Sequence, residues 1–168
     1  MKMVVLAAGC LLFSLQDSSP RLGIRLDVPA IRQPYNLCLA ASVSMVMGYW
    51  GVTRSVQEVG NHVGVYKAGT TGADMKRYVD SLGLRSFLIQ PPYADLLTHL
   101  KKGRPLVIVL ADSKDRRHAM VLVGHDPLAD TLTLNDPAAG HAVTMPSADF
   151  LARWRAASRW TMLIVPDP

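Results

Sequence analysis

The apolar periodicity of this chain changes character once, near residue 105, and no other feature constrains the fold as much. Before that point apolar residues recur at helical spacing. Residues 36–50 read as a helix: Asn36 can cap it, Leu39, Val43, Val46, Met47 and Trp50 recur along it, and Gly51 ends it. Ser55 and Glu58 are spaced as a capping box for a second helix over 55–63. Residues 71–82 are amphipathic through Met75, Tyr78, Val79 and Leu82 and stop at Gly83, and 93–100 form a shorter fourth helix. After the change, residues 105–110 are a continuous β-branched run that suits a buried strand. Residues 119–124 repeat that pattern and 131–134 alternate, with Asp126-Pro127-Leu128-Ala129-Asp130 as the turn between them. Ser147 caps a last helix over 147–160, a closing strand follows over 161–165, and a short strand over 26–32, broken at Pro29, precedes everything. Helices first and antiparallel strands second predict an α+β domain.

At 168 residues the chain is one domain of ordinary size. Almost half its residues are apolar and fewer than a fifth are charged, which fills a core and argues against disorder. The net charge of +5 is spread out. The longest basic runs are Lys101-Lys102 and Arg116-Arg117, without the aromatic interleaving of single-strand binders, so nucleic acid is not expected as a partner. A basic surface of this kind suits an anionic membrane or wall. His118, His125 and His141 lack metal-ligand spacing and no phosphate loop occurs, so no cofactor is expected.

Residues 1–20 read as an export signal and 21–168 as the mature domain. Lys2 precedes an apolar stretch over 3–15, too short for the roughly 20 residues that span a bilayer but matching the core of a signal peptide. Within it, Leu6-Ala7-Ala8-Gly9-Cys10 resembles a bacterial lipobox, with Ala7 where a larger aliphatic residue is usual. Cys10 is therefore a candidate lipidation site, which would attach the protein to a membrane through its N-terminus. Plain secretion and a cytosolic protein with a buried N-terminal strand are the alternatives. The expected location is the bacterial cell envelope or the exterior. Once Cys10 is lipidated or removed, Cys38 is the remaining thiol and has no internal disulfide partner.

A lone cysteine is usually a small buried hydrophobe. Cys38, however, falls in the first turn of the helix after Asn36, where unpaired backbone N–H groups and the helix dipole favour a thiolate. Gln33, five residues earlier, can offer its side-chain amide beside the Cys38 N–H as an oxyanion hole. Five histidines compete for the role of base: His62, His99, His118, His125 and His141. His118 opens the apolar strand 119–123, where a base would meet a helix N-terminus, whereas His125 lies at the far end beside the turn. With the turn centred on Leu128, His118 faces residue 138 and Asp136 is its diagonal neighbour, within side-chain reach. Asn135-Asp136-Pro137 is also an ordinary turn sequence. Asp112, Asp115 and Asp126 sit in loops with no matching geometry.

The run Val28-Pro29-Ala30-Ile31-Arg32-Gln33, then Cys38, then a small-residue helix ending Gly48-Tyr49-Trp50-Gly51, then His118 and Asp136-Pro137, resembles the C39 family of papain-like cysteine peptidases from about residue 26 to 165. The resemblance implies a papain-like fold with Cys38 as nucleophile, His118 as base, Asp136 orienting it and Gln33 at the oxyanion. It also implies peptide-bond hydrolysis on a peptide or protein substrate, and leader-peptide processing in members linked to transporters. The chain departs from the family in one place: glycine usually follows the cysteine, and here the run is Cys38-Leu39-Ala40-Ala41. A non-catalytic C39-like peptide-binding module and a papain-like cell-wall amidase or transpeptidase are the rival readings. A monomer is the default.

Overall fold

The computed structural model describes residues 23–63, 71–112 and 116–167; the expected export signal with Cys10, and Asp115, lie outside the described residues. Among these the elements run β1 (Ile24–Arg25), α1 (Cys38–Tyr49), α2 (Val56–Val63), α3 (Gly72–Ser81), β2 (Leu84–Ile89), α4 (Tyr93–Lys101), β3 (Leu106–Ala111), β4 (Arg117–Asp126), β5 (Thr131–Asp136), β6 (His141–Pro146), α5 (Ser147–Ala156) and β7 (Thr161–Pro166). The strands form one antiparallel sheet in the order β2-β7-β3-β4-β5-β6. The short β1 pairs with Gly124 and His125 of β4, as β5 does, so the two occupy opposite edges of that strand. A Cβ on Gly124 would stand 2.7 Å from the Ile24 carbonyl oxygen, so glycine is what lets β1 approach.

Helices cover both faces of the sheet. On one face α1 lies with α2 and α3 against Val107, Val121, Val123, Met162 and Ile164. On the other, Leu96 and Leu100 of α4 and Phe150 and Trp154 of α5 meet Leu106, Ile108, Leu110, Leu122 and Leu134. β3 thus feeds alternate side chains to two cores, which is why its sequence is apolar throughout. The α1 helix is buried at every position from Ala40 to Met47. A helix apolar on all sides belongs in an interior, and burial of Val43, Met45, Val46 and Met47 contributes about 1.5–3 kcal/mol each. That packing, rather than intrinsic helix preference, fixes where the first residue of α1 stands.

The α+β class holds, and several local expectations need correcting. Asn36 does not cap α1: it has φ +59°, Leu37 occupies the cap position, and no side chain caps it. Leu37 N donates to Pro34 O at 3.3 Å, closing a turn that puts Asn36 at the third position, where asparagine tolerates a left-handed conformation. The Ser55 hydroxyl accepts from Glu58 N at 3.1 Å, but the Glu58 carboxylate turns to Arg54 at 3.2 Å instead of completing the box. Ser147 is the first residue of α5 and not its cap; its hydroxyl accepts from Tyr93 at 3.3 Å. That helix ends at Ala156, four residues early, because Ser158 and Arg159 adopt positive φ. The first strand is Ile24–Arg25, and residues 26–32 carry no strand. β2 and β6, the two outer strands of the main sheet order, had no sequence counterpart; both have exposed faces and mixed polarity.

Candidate active site

Cys38 is the first residue of α1 and half-buried. The turn of Pro34 to Leu37 doubles the chain back so that Gln33, just before it, lines the same cleft as Cys38, His118 and Asp136. Two further links hold that loop in place. Gln33 N donates to Pro137 O at 2.8 Å, and Arg32 spans the turn between β5 and β6, donating to Ala139 O at 2.9 Å and Ala138 O at 3.4 Å. Gly140 completes the fit, since with φ +73° any Cβ there would also stand 3.0 Å from Arg32 Cβ. The loop bearing Gln33 and the turn after Asp136 are therefore one locked unit. The role of Arg32 was not foreseen; its place beside Gln33 was the only available signal.

His118 and Asp136 meet through a register change. Asp126 pairs with Thr131 and Gly124 with Thr133; continued unchanged, that register would set Asp136 opposite Val121. A bulge between Leu122 and Gly124 intervenes, and Val121 pairs with Asn135 instead. Asp136 therefore comes opposite Met120, two residues from His118 and on the same side of the strand. The expected diagonal is present, but the bulge creates it, and the turn is one half-step from the centre assumed. His118 Nε2 and Asp136 Oδ1 are 2.7 Å apart. The same Oδ1 accepts the Ala138 N–H at 2.8 Å, which fixes the carboxylate.

With Nε2 committed to Asp136, Nδ1 is the ring nitrogen left for the hydrogen bond between His118 and Cys38. Burial works against ionising the Cys38 thiol. The hydrogen bond from His118, the Ala119 N–H, the charge on His118 and the Leu39 N–H together outweigh it and hold the thiol below its ordinary range. His118 is pushed up in return, first by its bond to Cys38 and, against burial, by its bond and charge contact with Asp136. Lowered thiol and raised imidazole both act toward a thiolate–imidazolium pair. The other histidines lie elsewhere: His62 bonds Glu58 O on α2, His99 is on α4, His125 is at the far end of β4, and His141 opens β6. Asp112 pairs with Arg116, and Asp126 accepts two N–H groups of its own turn.

Gln33 Oε1 is buried with no hydrogen-bond partner among the described residues. Cys38 is the meeting point of two clefts. One, about 410 Å³, holds Gln33, His118, Asp136 and three arginines. The other, about 340 Å³, is walled by Leu39, Val109, Ala119 and Trp160. Leu39 lines the second cleft beside Cys38. Among the described residues no group of three or more His, Cys, Asp or Glu side chains is placed to hold a metal ion.

The fold has counterparts among solved structures. One similar structure is a double glycine motif protease from an AMS/PCAT transporter in complex with the leader peptide: 25% identity, TM-score 0.66, covering 85% of this chain and 94% of that one. The peptidase domain of Streptococcus ComA, a bi-functional ABC transporter involved in a quorum-sensing pathway, is 18% identical with TM-score 0.67, covering 82% and 97%. A C39-like peptidase candidate from Bacillus anthracis is 16% identical with TM-score 0.70, covering 87% and 98%. These last two establish likeness of fold. No curated protein sequence matches the chain. The model of the Peptidase_C39 like family matches residues 25–162, a span that contains Gln33, Cys38, His118 and Asp136. On that match over most of its length, with the papain-like fold around it, the chain belongs to the Peptidase_C39 like family.

Proposed function

We propose that this protein hydrolyses peptide bonds, with Cys38 as nucleophile, His118 as acid and base, Asp136 as the group that orients His118, and Gln33 as oxyanion donor. One observation carries the reading: His118 bonds Asp136 through Nε2 at 2.7 Å in the cleft where Cys38 stands at a helix N-terminus. In this scheme the thiolate attacks the peptide carbonyl carbon, and the developing oxyanion sits between the Gln33 amide and the Cys38 N–H. The imidazolium gives its proton to the leaving amine, which departs and leaves a thioester. Water then attacks the thioester, its proton passing to His118, and the acid product and free thiolate are restored. The similar double glycine motif protease was solved with a leader peptide, which supports a peptide as substrate and leader processing as the setting.

The test is cleavage of a peptide ending in a double-glycine leader junction, set beside peptidoglycan fragments, by wild type and by Cys38→Ala. Peptide cleavage that Cys38→Ala abolishes is expected. Cleavage of wall fragments alone would favour the amidase reading, and binding without cleavage the non-catalytic module. The export reading of residues 1–20 stands beside this as a proposal. Expression in a bacterial host would yield a detergent-partitioning product beginning at Cys10 if that residue is lipidated, and a water-soluble product beginning beyond it after plain secretion.

A further inference from the structure

The two clefts that meet at Cys38 differ in chemistry. One is apolar, walled by Leu39, Val109 and Trp160. The other carries Arg116, Arg117 and Arg153. Arg116 is answered by Asp112, whose Oδ2 accepts from Nε at 2.8 Å. Asp136 is committed to His118. Arg153 is held by Nε donation to Ala111 O at 2.9 Å, a neutral carbonyl that steadies the guanidinium without cancelling its charge. Arg117, exposed at the start of β4, lines both clefts and pairs with no carboxylate among the described residues.

With the thiolate, imidazolium and Asp136 counted together the catalytic groups carry one negative charge, and Arg116 with Asp112 carries none. Arg117 and Arg153 add two positive charges, so the described residues leave the cleft net positive. Against burial, the thiol of Cys38 is lowered by His118 and the Ala119 and Leu39 N–H groups. A steadied arginine and an unpaired one on the wall of a substrate cleft suit a carboxylate, which the planar guanidinium can bind in bidentate fashion.

We propose that Arg117 and Arg153 form a binding site for an acidic side chain of the substrate, an aspartate or glutamate close to the bond presented to Cys38. The peptide nature of the occupant rests on the function proposed above; the preference for acid rests on the two arginines. Arg117 is the selective member because it borders both clefts, and Arg153 is the fixed half of the pair.

The experiment uses octapeptide sets with one position fixed as Glu, Gln or Lys and the others randomised. Retention on immobilised Cys38→Ala protein is read by mass spectrometry, so no turnover is required. Glu sets should be retained about tenfold over Gln sets at low salt, with most of that advantage gone at high salt. Arg117→Gln should remove most of the preference, and Arg117→Glu should transfer it to the Lys sets. Because Arg117 is exposed, both variants should keep the wild-type circular dichroism. Equal retention of Glu and Gln sets, no retention of any set, or an Arg117→Glu variant that weakens all sets alike would overturn the proposal. Iodoacetamide labelling of Cys38 in the unsubstituted protein separates the two ideas. Labelling below the ordinary thiol range without an acid preference sinks the acid site alone. A preference with no such labelling sinks the hydrolytic reading and leaves the acid site standing.

Discussion

The two walls of the cleft obtain their geometry by different means. The wall bearing Cys38 is local: a turn of four residues, a helix start and a buried helix place the thiol within one contiguous stretch. The wall bearing His118 and Asp136 depends on strands paired across 18 positions of sequence, and on one bulge that shifts their register. Local helix physics tolerates small errors, since a helix end that frays by a residue leaves the thiol near its place. Strand register does not, because one residue of slip reverses every side chain. Cys38 is therefore the robustly placed half of the candidate site, and His118 with Asp136 is the half that a single insertion or deletion can break.

The largest effect expected from this comparison is at the joint between the walls. Gln33 belongs to the Cys38 wall by sequence but is bonded to the Asp136 wall through Pro137 O. Gln33→Ala should lower kcat by about 10²–10³, the loss typical of one oxyanion donor, with a smaller change in KM. A rise in KM alone, with kcat unchanged, would mean that Gln33 binds substrate and does not serve the transition state.

Asp136→Asn tests the strand wall itself. The amide oxygen can still accept from Nε2, so His118 keeps its orientation, while the negative charge that helps raise it is lost. Activity should fall far less than in Cys38→Ala, and the upper limb of the pH–rate profile, set by His118, should move to lower pH. A loss as great as that of Cys38→Ala would mean that charge, not orientation, is what Asp136 supplies.

The smallest effect should come from the middle of α1. The Ser44 hydroxyl is buried and without a hydrogen-bond partner, so Ser44→Ala removes a stranded polar group from a well-packed helix. Thermal unfolding should change by less than about 1 kcal/mol, toward stability. Activity should be unchanged, because the helix and hence Cys38 keep their position. A destabilisation above that size would show that the hydroxyl has a partner after all.

How much of this could be read from the sequence follows the same division. Cys38, Gln33 and the buried helix were legible because their signals are contiguous: a small-residue apolar run, a cysteine at its start and a glutamine before it. β3 and β4 were legible because a strand buried on both faces is apolar throughout. The outer strands β2 and β6 were not, since each mixes polar and apolar residues over six positions without a clean alternation. Asn36 misled because the same side chain serves caps and left-handed turn positions, and only the surrounding backbone decides between them. The helix over 147–156 was drawn too long because Ser158 and Arg159 take the left-handed conformation without a glycine to announce it. The Asp136 pairing was anticipated from a hairpin without a bulge and turned out to need one; nothing about Val123 marks it as the extra residue.

The central claim is that Cys38 and His118 form a thiolate–imidazolium pair. The lowering of Cys38 and the raising of His118 both act toward that pair. Where it forms, it is lost at high pH as His118 gives up its proton and at low pH as the thiol regains one. The rate of iodoacetamide alkylation of Cys38 should therefore rise with pH well below 8.5, the ordinary cysteine value, and reach a plateau near neutrality. His118→Ala should return the midpoint toward that value. A wild-type midpoint at about 8.5, or one that His118→Ala does not move, would contradict the account.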